Sequence, residues 1–203
     1  MFRGVVARLC RKQFAPAEVG EAAGGADGLQ LCRDLQPDVV LLDLDLPDAN
    51  GLDLLDQIPH VAKKVRIIVL SSHVDDYSLY RCLKVQVDGF VDKNYEPVEV
   101  ITDAIRTVMT GRKFFSAAVG RARAMLREDP MAFTKLLSDR EQELLTLFGR
   151  GLTNEEVAER TGLSVNTAHN HRRNIMGKLN IHSAPELIRY AVAKGFTRLR
   201  TGV

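Results

Sequence analysis

The sequence predicts a doubly wound, parallel α/β domain followed by a small all-α domain of four helices. Three observations carry that prediction. First, "PDVVLLD" (37–43) and "VRIIVLSS" (65–72) are too uniformly apolar to keep a wet face, as expected of central strands covered on both sides. Second, helical and strand patterns alternate up to about residue 112, and such alternation builds a parallel sheet with helices on its faces. Third, only helical signals occur from residue 138 onward, three of them opened by the same Ser/Thr-x-x-Glu capping box.

Taken in order, residues 1–13 carry a helical pattern, and "AEVGEAA" (17–23) reads as a strand running into the turn at Gly24 and Gly25. A helix over 26–35 leads to the buried strand 38–43 and a short helix over 51–58. The second apolar strand, 65–72, is followed by a helix over 75–85 and a short strand, "DGFVDK" (88–93). The helix over 97–110 places Val98, Ile101, Ile105 and Val108 on one face. Residues 113–137 read as a linker, small, basic and weakly periodic, with Pro130 interrupting. The domains therefore span 1–112 and 138–203.

In the second domain the capping boxes are Ser138 with Glu141, Thr153 with Glu156, and Ser183 with Glu186, with Pro185 in the first turn of the last helix. Ser164 caps a further helix. Gly151, Gly162 and Gly195 fall at or just after helix ends, where left-handed backbone is needed.

A chain of 203 residues can bury two modest cores. No apolar run is long enough to cross a bilayer, and "FRGVVARLCRK" lacks the layout of a signal peptide. Cys10, Cys32 and Cys82 are odd in number and set among apolar residues, which points to reduced thiols and a cytoplasmic protein. No Cys/His spacing suggests zinc. The net charge of +2 is unevenly spread, −3 over 1–115, +2 over 116–137 and +3 over 138–203. Between Arg160 and Pro185 there is no acidic residue, while Arg172, Arg173 and Lys178 stand there with His169, His171 and His182. Such a stripe suits either a polyanion or an ordinary solvated helix face.

The chemistry gathers at the carboxyl ends of successive strands, where parallel sheets carry their reactive groups. Asp43 ends one, Ser71 (with Ser72) the next, and Lys93 the third. A carboxylate can attack phosphorus, while a hydroxyl and an ammonium bind the transferred oxygens and spread their charge.

These residues resemble bacterial two-component response regulators of the NarL/FixJ type. "PDVVLLDLDLPDANGLDLL" is similar to that family's phosphoacceptor segment, "IIVLSS" to its switch-hydroxyl strand and "GFVDK" to its switch-aromatic and lysine strand. The resemblance implies a receiver-like, flavodoxin-like fold, with phosphorylation at Asp43, switch residues Ser71 and Phe90, and Lys93 beside them. It places Asp45 and Asp48 in the loop leaving the strand. It also implies Mg²⁺, which receivers hold with an acidic pair on their first strand. "MFRGVVARLC" resembles the helix after that pair, so Asp43 alone is expected to serve a metal here. Two expectations follow: a natural start upstream, or a receiver that signals without phosphate.

"LLSDREQELLTLFGRGLTNEEVAERTGLSVNTAHNHRRNIMGKLNI" (136–181) resembles the LuxR-type helix-turn-helix. On a helix from about 165 to 179, Ala168, Ile175 and Leu179 share the inner face, with His171 beside them. The outer face carries Asn166, His169, Asn170, Arg173 and Gly177, whose polar members can reach base edges in a major groove. Thr167 and Arg172 lie at the edges, suited to phosphate contacts. His169 and Ala168 stand where the family more often has Lys and Val, and Ala184 where Arg is common. The resemblance implies double-stranded DNA, a sensor histidine kinase or other phosphodonor, and a second copy of the chain as partners, with no membrane. It assigns a dimer contact to Leu187, Ile188 and Ala191, for which core packing is the equal alternative. One enzyme reading competes: "DLD" (43–45) is also similar to the D-x-D of haloacid-dehalogenase-type phosphatases, which need a further acidic pair that residues 94–203 do not offer at a strand end.

Overall fold

The computed structural model describes residues 2–197. The chain divides into two compact units, one of residues up to 74 with 81–123, the other of 75–80 with 124 onward.

The first unit opens with α1 (Phe2–Gln13), whose Val6, Ala7 and Cys10 are buried. Then come α2 (Gly25–Leu35), β1 (Val39–Asp43), α3 (Gly51–Val61), β2 (Arg66–Ser71), α4 (Asp76–Lys84, its residues up to Tyr80 counted with the second unit), β3 (Gly89–Asp92), α5 (Val100–Met109) and β4 (Phe114–Phe115). The strands pair in parallel in the order β1-β2-β3-β4, with Leu41 beside Ile68 and Val69 beside Phe90. Ile68, Leu70 and Val91 form one core with Val6 and Cys10 of α1 and Ile101, Ala104 and Val108 of α5. Ile67, Val69 and Phe90 alternate to the opposite face and are buried as well. Both faces are therefore covered, as uniformly apolar strands require. All three cysteines are buried free thiols.

The second unit contains α7 (Phe133–Leu136), α8 (Asp139–Gly149), α9 (Asn154–Thr161), α10 (Val165–Lys178) and α11 (Ala184–Ala193). Leu144, Leu145, Phe148, Val157, Ala168, Ile175, Leu187 and Ala191 are fully buried in it. Ser138 and Thr153 form complete capping boxes with Glu141 and Glu156. Ser183 caps through the Glu186 amide, while the Glu186 carboxylate accepts from the His182 amide instead. Gly151, Gly162 and Gly195 all take positive φ, at 83°, 69° and 82°. Within this unit Tyr77 stacks on Phe196 at 4.2 Å, and Asp76 pairs with Lys194 at 2.7 Å.

Four expectations need correction. Residues 17–23 form no strand. A strand exists only with a ladder partner, and β1, the end of the described sheet, is paired to β2 alone. The segment is tied from outside by Arg11, whose guanidinium donates to the Val19 carbonyl at 3.1 Å and the Glu21 carboxylate at 2.9 Å, and Val19 packs on the core. The helix expected over 51–58 continues through Pro59 to Val61, because a proline in a last turn forfeits only one backbone bond. The stretch read as a linker is ordered: Phe114 and Phe115 pair with Gly89 and Phe90, and a helix follows, α6 (Ala117–Glu128). Lastly, Leu187 and Ala191 are sealed against their own domain, so of the three expected dimer contacts only the half-buried Ile188 reaches the surface.

Candidate functional site

Asp43 closes β1, and the next two strands end beside it. The register sets Asp43 against Leu70 and Ser71 against Asp92, so Asp43, Ser71 and Lys93 leave adjacent strands at their carboxyl ends. The Lys93 Nζ donates to Asp43 Oδ2 at 2.7 Å, and the Asp45 amide donates to Asp43 Oδ1 at 3.0 Å. The lysine side chain is 13% exposed and the carboxylate 37%. The ring of Phe2 lies 5.5 Å from the same ammonium. Gly51 keeps this corner tight: a Cβ there would fall 2.5 Å from the Asp43 carbonyl oxygen.

The three aspartates of the loop divide their labour. Asp43 faces Lys93. Asp45 reaches His73, its Oδ2 lying 3.7 Å from Nε2. Asp48 caps α2 from a distance, accepting from the Gly25 amide at 2.9 and 3.0 Å and from the Ala26 amide at 3.4 Å. Those amides, Gly25 foremost, hold its carboxyl below the ordinary carboxylate range. Asn50 caps α3 through the Leu52 amide.

Ser71 is buried, and its hydroxyl is committed locally. It donates to the His73 carbonyl at 3.1 Å and accepts from the His73 amide at 3.0 Å. Phe90 is fully buried in β3. Sequence reasoning brought Asp43, Ser71 and Lys93 together, as the structure does, but missed His73. Its signal was positional, two residues past the strand-end serine and across the mouth of the site from Asp45.

Magnesium is the metal the resemblance implies. Both Asp43 oxygens already have donors, Asp45 faces His73, and no group of three or more His, Cys, Asp or Glu side chains among the described residues is arranged to hold a metal ion. The donor set does not make a magnesium shell.

In the second unit, Ser164 caps α10 by accepting from the Thr167 amide at 3.1 Å, and the two hydroxyls meet at 2.7 Å. Thr167 thus serves the cap. Ala168 and Ile175 anchor the inner face, and His171 is half-buried beside them. Asn166, His169 and Arg173 are exposed on the outer face, with Asn170 half-buried between them. The Arg172 guanidinium lies 5.0 Å from the centre of the Phe148 ring, which fixes where that cation points. Lys178 turns away to Glu141, at 2.7 Å. Beside the outer face lies a shallow concavity of about 400 Å³, walled by His169, Arg172, Arg173, Met176, Ile181 and His182. This surface offers amide and cationic donors and no carboxylate, as a polyanion would require.

Two family patterns match the chain. "Response regulator receiver domain" covers residues 1–106, and "Bacterial regulatory proteins, luxR family" covers residues 135–191. The response regulator protein VraR of Staphylococcus saprophyticus is 28% identical over 173 residues, 85% of this chain and 82% of that protein. VraR of Staphylococcus aureus shows the same identity and coverage. Among solved structures, the RcsB response regulator of Salmonella typhimurium superposes with a TM-score of 0.58 at 25% identity, over 92% of this chain and 93% of that one. RcsB of Salmonella enterica serovar Typhimurium, solved on a promoter in the presence of phosphomimetic BeF3⁻, gives a TM-score of 0.61 at 24% identity, over 95% and 94% of the two chains.

Proposed function

Since this chain belongs to the response regulator family and is a transcription regulator with a receiver domain followed by a luxR-type DNA-binding domain, we propose that phosphorylation of Asp43 controls its dimerisation or its hold on double-stranded DNA. The family is one of DNA-binding regulators rather than enzymes. The observation that carries the proposal is the half-exposed Asp43 carboxylate, positioned by Lys93 at 2.7 Å.

An Asp43 oxygen attacks the phosphorus of a phosphodonor, a sensor-kinase phosphohistidine or a small acyl phosphate. The new O–P bond forms as the donor's bond to phosphorus breaks, and its electron pair leaves with the donor. Lys93, released from the carboxylate, pairs with a phosphoryl oxygen. Ser71 supports a second oxygen once its hydroxyl leaves the His73 carbonyl. The phosphate acts as a switch only by favouring one state energetically. At α10, Asn166, His169, Asn170 and Arg173 face the major groove. Arg172 and the edge residue Thr167 meet phosphates. Ile188, on the surface of α11, is the residue of the expected dimer contact that a second copy can touch. The protein works in the cytoplasm, with the DNA it controls.

The test is intact mass after incubation with acetyl phosphate, with and without Mg²⁺, beside Asp43→Asn. The expected result is one phosphoryl group added to the parent and none to the variant, with dimer formation or duplex affinity raised in parallel. A second reading, a regulator that works without phosphate, draws on the donor set that does not fit magnesium. DNA binding with no adduct under any condition would establish it.

A further inference from the structure

α10 shows one outward stripe, Asn166, His169, Asn170 and Arg173, at the i, i+3, i+4 and i+7 spacing of a single helix face. Arg173 carries a permanent charge and the asparagines none. His169 alone on this stripe has a charge that depends on pH, since imidazole is the side chain that ordinarily titrates between pH 5 and 8. It is exposed, and it lines the concavity whose other walls include Arg172, Arg173 and His182.

The charges nearest His169 in the chain are cationic, and the packed elements bring both signs. On α10 itself, Arg172 and Arg173 flank His169, and no acidic residue lies between Arg160 and Pro185. On α8, Glu141 holds Lys178 and Glu143 holds Arg140, with Asp139 at the helix start. α9 brings Glu155, Glu156, Glu159 and Arg160, of which Glu156 accepts from the Thr153 amide. On α11, Glu186 accepts from the His182 amide and feels the charges of Arg189 and His182. The Glu186 carboxylate thus stands beside His182, and His171 is half-buried on the inner side. His169 is the imidazole left for an incoming anion.

We infer that His169 couples DNA binding to proton uptake, so that the protein holds duplex DNA more tightly as pH falls through the imidazole range. This rests on the reading of α10 as the DNA-facing helix. Phosphates nearby favour the charged imidazole, so binding is linked to proton uptake and affinity rises with acidity. The imidazolium donates from both nitrogens, which suits a phosphate oxygen or the O6 and N7 acceptors of guanine.

One added cation steepens the dependence of log affinity on log salt by about 0.9. The tightening between about pH 7.5 and about pH 5.5 is on the order of three- to tenfold. The experiment is fluorescence anisotropy of the full chain with a labelled mixed-sequence duplex, over a salt series at both pH values. It is run for the parent, His169→Gln, His169→Lys and, as a control on α3, His60→Gln, each first shown to keep the parent's circular dichroism. The parent and His60→Gln gain affinity and slope at low pH. His169→Gln keeps the shallow slope at both values, and His169→Lys the steep one. A parent that binds equally at both pH values, or a His169→Gln variant that keeps the parent's pH dependence, overturns the coupling and leaves DNA binding standing. No binding by any variant at either pH overturns the DNA reading and the coupling together.

Discussion

Two lysine–carboxylate pairs in this molecule have the same length and opposite construction. Asp43 meets Lys93 at 2.7 Å and Glu141 meets Lys178 at 2.7 Å. In the first the lysine is sheltered and the carboxylate half-exposed, at 13% and 37%. In the second the carboxylate is sheltered and the lysine exposed, at 8% and 45%. One Glu141 oxygen, Oε2, gathers three donors: besides Lys178 it receives the Ser138 amide at 2.8 Å and the Ser138 hydroxyl at 2.9 Å. Burial pushes its carboxyl up, but Lys178 and the two Ser138 donors pull it further the other way, to below the ordinary range. Asp43 has an ammonium and one amide, and an open side. The partner that faces water decides what a pair is for. A buried carboxylate with three donors fastens α10 to the start of α8, while a half-exposed one can reach an electrophile.

The contrast breaks most sharply at Asp43. Asp43→Asn abolishes the phosphoryl adduct seen by intact mass, while thermal unfolding shifts little, because a partly exposed pair contributes about 1 kcal/mol or less. Glu141→Gln does the reverse. The adduct forms as in the parent, but the DNA-binding domain loses about 2–3 kcal/mol in urea unfolding, since the change cuts a buried, charge-assisted network. Equal destabilisation by both substitutions would mean that the two pairs do the same work. Arg173→Ala is smaller in consequence. Its side chain is exposed, so the domain folds unchanged, and duplex affinity falls about tenfold with a salt slope shallower by about 1. Anisotropy across a salt series measures both quantities.

The same contrast marks what the sequence could tell. Capping is local, so Ser138, Thr153 and Ser164 announced their helices, and the structure places all three at the N-caps. Asp43, Ser71 and Lys93 were legible because each stands where an apolar run stops. Features that depend on a distant partner were not. Residues 17–23 have strand composition but no ladder beside them, and the two residues of β4 are a strand only because β3 has a free edge. Asp48 caps a helix that begins 23 residues earlier in the chain, which no local pattern reveals. Periodicity put Leu187, Ile188 and Ala191 on the last helix's apolar side. It could not say that the first and third would be buried and the second left half-exposed.

The smallest effect sharpens the comparison through pH. Glu141 has a folded pKa below its ordinary value, and the unfolded chain returns it to about 4.3. Above that value both states are ionised, and the stabilisation from Lys178 and Ser138 is fully present. As pH falls the unfolded state takes up the proton first, so stability declines until the folded carboxyl is protonated too. Urea unfolding of the parent should therefore lose stability on acidification from about pH 5 to about pH 3. Glu141→Gln, with no proton to take up, should show a flatter profile over that window. Lys178→Met removes the exposed partner and leaves the Ser138 donors in place. It should lower stability near neutrality by about 1 kcal/mol and flatten the acid limb only partly. If Lys178→Met flattened that limb as fully as Glu141→Gln, the lysine alone would set the carboxylate's proton affinity, and the sheltering by Ser138 would have no share in it.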